Sequence, residues 1–137
     1  KPGKVFDFFA ARKGVDRVEG LLERQDYLEA RVKLERETTP EGLVDVTVVV
    51  DAGPKVEFVY EGWDAPGGVR RRVREAWRDG VFDLQRSEEA EAVIRRELIE
   101  GGYPRAMVRT EVEEQGDTKR VRFGVAPGEK QGAVGVE

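Results

Sequence analysis

Apolar and polar positions follow two patterns along this chain, and the patterns alternate in a fixed order. Residues 55–60 are β-branched and aromatic, which predicts a strand. Val69, Val73 and Trp77, with Ala76 beside them, then recur at helical spacing and predict an amphipathic helix. Pro66-Gly67-Gly68 is expected to open that helix.

The second half of this pattern predicts another helix and two strands. The helix is expected to begin at Ser87 as its N-cap and to end at Gly101-Gly102. Its apolar face is predicted to hold Ala90, Val93, Ile94 and Leu98. Apolar and charged residues then alternate over about 105–113 and again over 120–125. The order is therefore strand, helix, helix, strand, strand.

This order of elements limits the possible directions and order of the strands in the sheet. The last two strands are expected to form an antiparallel hairpin, and the first strand runs parallel to the last. The prediction is an α+β unit with a mixed three-stranded sheet and both helices on one face. If the first strand lies beside the third, residues 105–113 form an open edge; the other order would bury them.

Part of the pattern occurs twice. Lys4-Val5-Phe6-Asp7 resembles Gly80-Val81-Phe82-Asp83, and residues 46–50 match the apolar spacing of 121–125. The first copy then comprises a helix through Val15, Val18, Leu21 and Leu22 and strands at 30–37 and 43–50. We expect three segments: 1–53 as the end of one unit, 54–128 as a complete unit, and 129–137 as the first strand of another. The chain is thus interpreted as a piece of a tandem array.

The amino-acid composition excludes several classes of catalytic and metal-binding site. The 137 residues include no His and no Cys, and Ser87 is the only serine. Imidazole catalysis, thiol nucleophiles and the usual soft metal sites are therefore excluded. Acidic clusters such as Glu88-Glu89 lack metal-loop spacing. We expect no catalytic residues, no metal and no cofactor, and interpret the protein as a binding module rather than an enzyme.

Several motifs resemble those of POTRA (polypeptide-transport-associated) domains. They are Gly80-Val81-Phe82-Asp83, a helix ending in Leu98-Ile99-Glu100-Gly101-Gly102-Tyr103, and the closing Val121-Arg122-Phe123-Gly124-Val125-Ala126-Pro127-Gly128. The first copy departs from the POTRA motifs at two places. Lys4 occupies a position where glycine is expected, and Gln25-Asp26 precedes Tyr27 where a Gly-Gly pair is expected. It implies tandem POTRA-like β-α-α-β-β units.

The resemblance also implies a cellular role. POTRA domains are periplasmic repeats that precede the membrane β-barrel of outer-membrane assembly and secretion proteins. The implied partners are unfolded or nascent outer-membrane and secreted polypeptides, accessory periplasmic proteins, and a C-terminal β-barrel in the parent chain. A POTRA-type interaction domain of a cell-division or two-partner secretion protein is an alternative.

An open sheet edge suggests how such clients would bind. An extended chain can pair with its unsatisfied N–H and C=O groups as an added strand. The candidate residues are Val108, Arg109, Thr110, Glu111 and Val112. Alternatively, a neighbouring unit covers the edge or water solvates it, and Arg109, Glu111 and Glu113 protect it from aggregation.

A KH-like nucleic-acid-binding module has the same element order and is another alternative. That class needs a Gly-x-x-Gly loop between its helices, whereas this loop reads Asp79-Gly80-Val81-Phe82-Asp83. The net charge of −4 also opposes a polyanion. We therefore expect no nucleic-acid partner.

Two further groups are interpreted as structural. The arginines of segment 69–78 are expected to form the solvated face of their helix. Phe82, Trp77 and Tyr103 are expected to pack in the core rather than to line a ligand pocket.

Overall fold

The computed structural model describes residues 8–131. The chain divides into two compact units, Lys1–Lys55 and Val56–Glu137. Lys4–Asp7 and the strand predicted within 129–137 from Gly132 onward lie outside the described residues.

The first unit consists of a helix followed by a hairpin. Helix α1 spans Phe8–Arg24, and strands β1 and β2 span Arg31–Thr38 and Val44–Asp51. The strands pair antiparallel, with Arg31 opposite Asp51. Helix α1 packs on β1, where the Val32 N–H donates to Glu19 Oε2 at 3.1 Å.

The turn between β1 and β2 lies where the sequence predicts it. The Thr39 N–H donates to the Leu43 carbonyl at 2.8 Å, and the Leu43 N–H donates to Thr39 Oγ1 at 3.1 Å. Gly42 has a φ of 84°, in the left-handed region that glycine enters without strain. The two strand boundaries agree with the predicted ones to within about one residue.

The second unit begins with β3 (Lys55–Glu61), followed by α2 (Gly67–Asp79) and α3 (Asp83–Glu100), and ends with β4 (Met107–Gln115) and β5 (Thr118–Ala126). Its sheet has the order β3-β5-β4, and β4 pairs antiparallel with β5. Strand β3 runs parallel to β5, since Glu57 lies beside Arg120 and Glu61 beside Arg122. The predicted α+β class and mixed sheet are therefore confirmed.

Both helices of the second unit cover the same face of its sheet. Trp77 of α2 is fully buried and meets Phe58 edge to face at 5.8 Å between ring centroids. Phe58 in turn stacks on Phe123 at 5.9 Å. Thr110, the cross-strand partner of Phe123, hydrogen-bonds to Glu91 of α3. The predicted faces are present: Val69, Val73, Ala90, Ile94 and Leu98 are buried, whereas Ala76 and Val93 are half-buried.

Helix α3 begins at Asp83, so the prediction that Ser87 caps it is wrong. Arg86 in the first turn is buried, and its Nε donates to the Trp77 carbonyl at 3.0 Å. Asp83 accepts a hydrogen bond from Arg86 Nη1 at 3.1 Å and from the buried Lys119 Nζ at 3.0 Å. These three charges stabilise an earlier turn that apolar periodicity does not reveal.

The prediction that Phe82 packs in the core is also wrong. Its side chain is 73% exposed, whereas Trp77 is fully buried and Tyr103 is half-buried. The Arg86 guanidinium and the Lys119 ammonium lie 5.9 and 6.0 Å from the centre of the Trp77 ring. Because these two cations lie against Trp77, Phe82 remains at the surface, at the position that precedes α3.

Candidate functional site

Strand β4 forms one edge of the second sheet, and it contains all five residues predicted to bind a partner. Its neighbour on one side is β5, and no other strand of the described chain pairs with it. The five residues Val108–Val112 occupy its middle. Val108, Thr110 and Val112 face the helices, since they lie opposite Val125, Phe123 and Val121. Arg109 and Glu111 therefore lie on the outer face.

The inner side of this edge is fixed to the helical layer. The Thr110 hydroxyl hydrogen-bonds to Glu91 Oε2 of α3. Glu91 also lies 3.9 Å from Arg95 Nη2, one helical turn away. The hydrogen bond holds the centre of β4 against α3.

The outer face carries one linked group of charges. Arg122 on β5 lies 3.8 Å from carboxylate oxygens of both Glu111 and Glu113 on β4. Its Nε lies 3.3 Å from Glu61 Oε2 on β3, an ion pair without a hydrogen bond. These solvated pairs contribute little to stability individually. They cross all three strands, so the middle of the outer face is neutralised internally.

Arg109 stands apart from that group. Its side chain is exposed, and the guanidinium makes no hydrogen bond or ion pair with any residue between 8 and 131. The residue opposite it on β5 is Gly124, which offers no side chain. Among the described residues, this end of the outer face therefore has an unpaired cation beside an uncovered stretch of backbone.

The opposite edge, β3, is less suited to pairing. Strand β3 is shorter than β4. Pro54 precedes it and Lys55 is its first residue, and proline and lysine at a sheet edge disfavour pairing with a further strand. Gly62 follows with a φ of 85°, and a Cβ there would lie 2.2 Å from the Val125 carbonyl oxygen. Only glycine allows this close approach, after which the chain turns away toward α2.

Tyr60 carries a buried hydroxyl group on the inner, helix-covered side of the sheet. Its hydroxyl is buried and has no hydrogen-bond partner among the described residues. Burial raises its pKa to about 12, although the charges of Arg70 and Arg74 oppose this shift. The Arg70 guanidinium lies 4.7 Å from the centre of the ring. Tyr60 therefore remains a neutral, packed side chain at physiological pH.

At least three of the five arginines of α2 pair with nearby carboxylates. Arg70 lies 3.3 Å from Asp64, and Arg72 lies 3.3 Å from Glu97. Arg78 Nε lies 2.9 Å from Asp79 Oδ1. These pairs reduce the positive charge that the helix could offer to a phosphate backbone.

Between residues 8 and 131, no group of three or more His, Cys, Asp or Glu side chains could hold a metal ion. Over the same range, no helix has the length and apolar character needed to cross a bilayer.

Neither a family model nor a curated protein matches this chain. Solved structures do. The chain resembles POTRA domains. It is 22% identical to POTRA domains 1–2 of the periplasmic domain of Omp85 from Anabaena, covering 96% of this chain and 80% of that one at a TM-score of 0.41. It is 18% identical to POTRA domains 3–5 of BamA from Haemophilus influenzae, covering 90% of this chain at a TM-score of 0.40.

The chain spans half the length of that Haemophilus influenzae structure and about a quarter of a BamA structure from Haemophilus ducreyi. The resemblance found in the sequence motifs is thus found again among solved structures. At these identities and TM-scores it describes a similarity of fold and assigns no partner. The geometry of β4 has to support any proposed role.

Sequence reasoning did not select two residues of the outer face, Met107 and Gly124. Met107 precedes the five predicted residues on β4, and its side chain is 71% exposed. Gly124 lies within residues 121–125, which were used for the internal repeat and for the family resemblance but not as a candidate site. A glycine in an otherwise regular strand, between Arg122 and Ala126 on the same face, was the available signal.

Proposed function

We propose that this chain is a protein-interaction module of an outer-membrane protein assembly or secretion machinery. Its edge strand β4 captures extended client polypeptides, which add to the sheet as a further strand. One observation carries the proposal: the order β3-β5-β4 leaves β4, ordered and nine residues long, at the edge of the sheet.

Backbone pairing suits a module with many clients. The N–H and C=O groups of an edge are the same whatever the partner's sequence, so pairing supplies affinity with little discrimination. The bond between Thr110 and Glu91 keeps β4 in place for this pairing. The internally paired charges of the outer face leave few isolated charges to repel a client.

The wider setting belongs to the same proposal. The clients are unfolded or nascent outer-membrane and secreted polypeptides, and accessory periplasmic proteins are further partners. The module lies in the periplasm, in a parent chain with a C-terminal membrane β-barrel. Segments 1–53, 54–128 and 129–137 are parts of consecutive units. The sequence motifs support this setting, and the geometry of β4 supports the capture step.

The loop between α2 and α3 gives no support to nucleic-acid binding. It contains one glycine, Gly80, whose Cβ would lie 2.5 Å from Arg86 Cγ. Asp79 and Asp83 flank it and pair with nearby cations. A phosphate would meet two carboxylates rather than a clamp of backbone N–H groups.

Amide NMR on the whole isotope-labelled chain tests the capture step. An eight-residue unstructured peptide rich in Thr and Val is expected to shift the amides of 107–115 far more than those of 55–61. The control is the same peptide with alternate backbone nitrogens methylated, which cannot pair as a strand. Absence of shifts along 107–115, or equal shifts with the methylated peptide, contradicts the proposal.

A further inference from the structure

A trough lies on the outer face of the second sheet, where β3 ends. Its volume is about 520 Å³, and its lining includes Glu61, Met107, Arg109, Gly124 and Ala126. Gly124 and Ala126 supply the floor, since they lie opposite Arg109 and Met107 in the β4–β5 register. The trough reaches β4, so it opens beside the edge proposed to bind clients.

The fold does not require glycine at the floor of this trough. Gly124 does not have a positive φ, and a Cβ built on it would meet only the Arg109 carbonyl oxygen, at 3.9 Å. That distance is an ordinary van der Waals contact. Glycine weakens a strand interior because it packs nothing. Its effect at position 124 is to leave a hollow that a larger side chain would fill.

The walls of the trough offer an apolar surface and a cation. Met107 is 71% exposed, and its flexible thioether adapts to the shape of a neighbouring group and packs well against aromatic rings. Arg109, two residues along the same face, makes no polar contact with residues 8–131. Glu61 closes the far side and is engaged by Arg122. The side chains available to contact a bound group are therefore those of Met107 and Arg109.

We infer that the trough seats an aromatic side chain of the strand that adds to β4, and that an acidic side chain two residues away pairs with Arg109. This inference rests on the proposed function. The added strand lies about 5 Å from β4 and about 10 Å from β5, so an aromatic ring on its outer face passes between Met107 and Arg109 and extends over β4 toward Gly124. An aromatic ring packed over a strand glycine replaces the contacts that glycine lacks. The preferred client thus has the pattern aromatic-x-acidic on its outward face.

Three matched peptides test this preference. The first is an eight-residue Thr-rich peptide with Phe and Glu at positions i and i+2; the second has Ala for Phe, and the third has Lys for Glu. Calorimetric titration of the whole chain is expected to show the first binding about tenfold more tightly than the second. It is also expected to bind about threefold more tightly than the third.

Two variants connect the preference to the trough. The Gly124→Leu variant fills the floor, so it is expected to bind the Phe and Ala peptides with equal affinity. Thr118→Leu adds the same side chain at the other end of the outer face and is expected to keep the preference. Arg109→Glu is expected to reverse the preference between Glu and Lys. Amide spectra establish that each variant is folded.

The outcomes separate this inference from the proposed function. If peptides shift the amides of 107–115 but show no preference for Phe, the inference is overturned and edge pairing stands. A preference that persists in Gly124→Leu also overturns it. If none of the peptides binds, both are overturned.

Discussion

The two hairpins have the same register but different surroundings. Val32 lies opposite Val50 in the first, as Val108 lies opposite Val125 in the second. Leu34 and Val48 then correspond to Thr110 and Phe123. Yet Val48 is 52% exposed and Val50 is 50% exposed, whereas Phe123 is fully buried and Val125 is 6% exposed.

The neighbours of the hairpins explain this difference. In the second unit β3 pairs with β5, and Phe58 and Tyr60 on β3 lie 5.9 and 5.3 Å from the Phe123 ring. In the described part of the first unit, β2 pairs with β1 alone, and α1 packs on β1. The apolar pattern of a strand therefore predicts which of its faces can be buried. Whether that face is buried depends on the third strand and the helix that pack beside it.

Truncation of Phe123 gives the largest expected effect. Phe123→Ala removes a buried ring that contacts two others, so the free energy of unfolding of the second unit should fall by about 3–5 kcal/mol. Both tryptophans, Trp63 and Trp77, lie in this unit, so urea unfolding followed by tryptophan fluorescence reports on it alone. A loss below about 1 kcal/mol would show that β3 and α2 do not create the core described above.

The buried charges at the start of β5 give the next largest expected effect on stability. Lys119 occupies the position that corresponds to the exposed Val44 in the first hairpin, and Asp83 pairs with it at 3.0 Å. Asp83→Asn removes the charged carboxylate that lies within 3.1 Å of both buried cations, Arg86 and Lys119, and should cost about 2 kcal/mol in the same assay. Asp79→Asn, which removes the partner of the more exposed Arg78, is the control, with an expected cost below about 0.5 kcal/mol.

Tyr60 gives a smaller effect that depends on pH. Its folded pKa of about 12 exceeds the ordinary value of 10.0, so the unfolded chain loses this proton first as pH rises. The stability of the second unit should therefore fall between pH 10 and 12. Tyr60→Phe removes the unpaired hydroxyl and should weaken this fall, with a gain of at most about 1 kcal/mol at pH 7. An unchanged slope in Tyr60→Phe would assign the fall to other groups.

Exposed apolar residues give the smallest effects. Phe82→Ala in the second unit and Val48→Thr in the first should each change stability by less than about 0.5–1 kcal/mol, because both side chains are already largely in water. Fluorescence reports on Phe82→Ala, and amide hydrogen exchange along β2 reports on Val48→Thr. A loss near that of Phe123→Ala at either site would refute its described exposure.

Much of the second unit follows from local patterns. Three short apolar strands and two helices of known spacing restrict the sheet to few orders, and the predicted placement of β4 at the edge is confirmed. The start of α3 was missed because Arg86, a charged residue, occupies a buried helical position. Phe82 was predicted to pack in the core because its spacing puts an aromatic residue at a helix end facing the sheet, and that spacing does not show the cations that lie against Trp77.

The trough depends on relations that the sequence does not state. Gly124 forms a floor only because the register puts it opposite Arg109 and because β3 turns away at Gly62. Neither relation follows from the residue order within one strand. Whether Val108–Val112 bind a partner stays a prediction that the peptide titration tests.

In the proposed capture step, the hydrogen bond between Thr110 and Glu91 affects how long a client would stay bound. Because β4 is held against α3 before any encounter, association requires no rearrangement of the sheet. The loss of conformational freedom, about 1–2 kcal/mol for each residue fixed, falls on the incoming chain alone. Because that loss offsets much of what the new backbone bonds would contribute, we expect a captured segment to dissociate quickly.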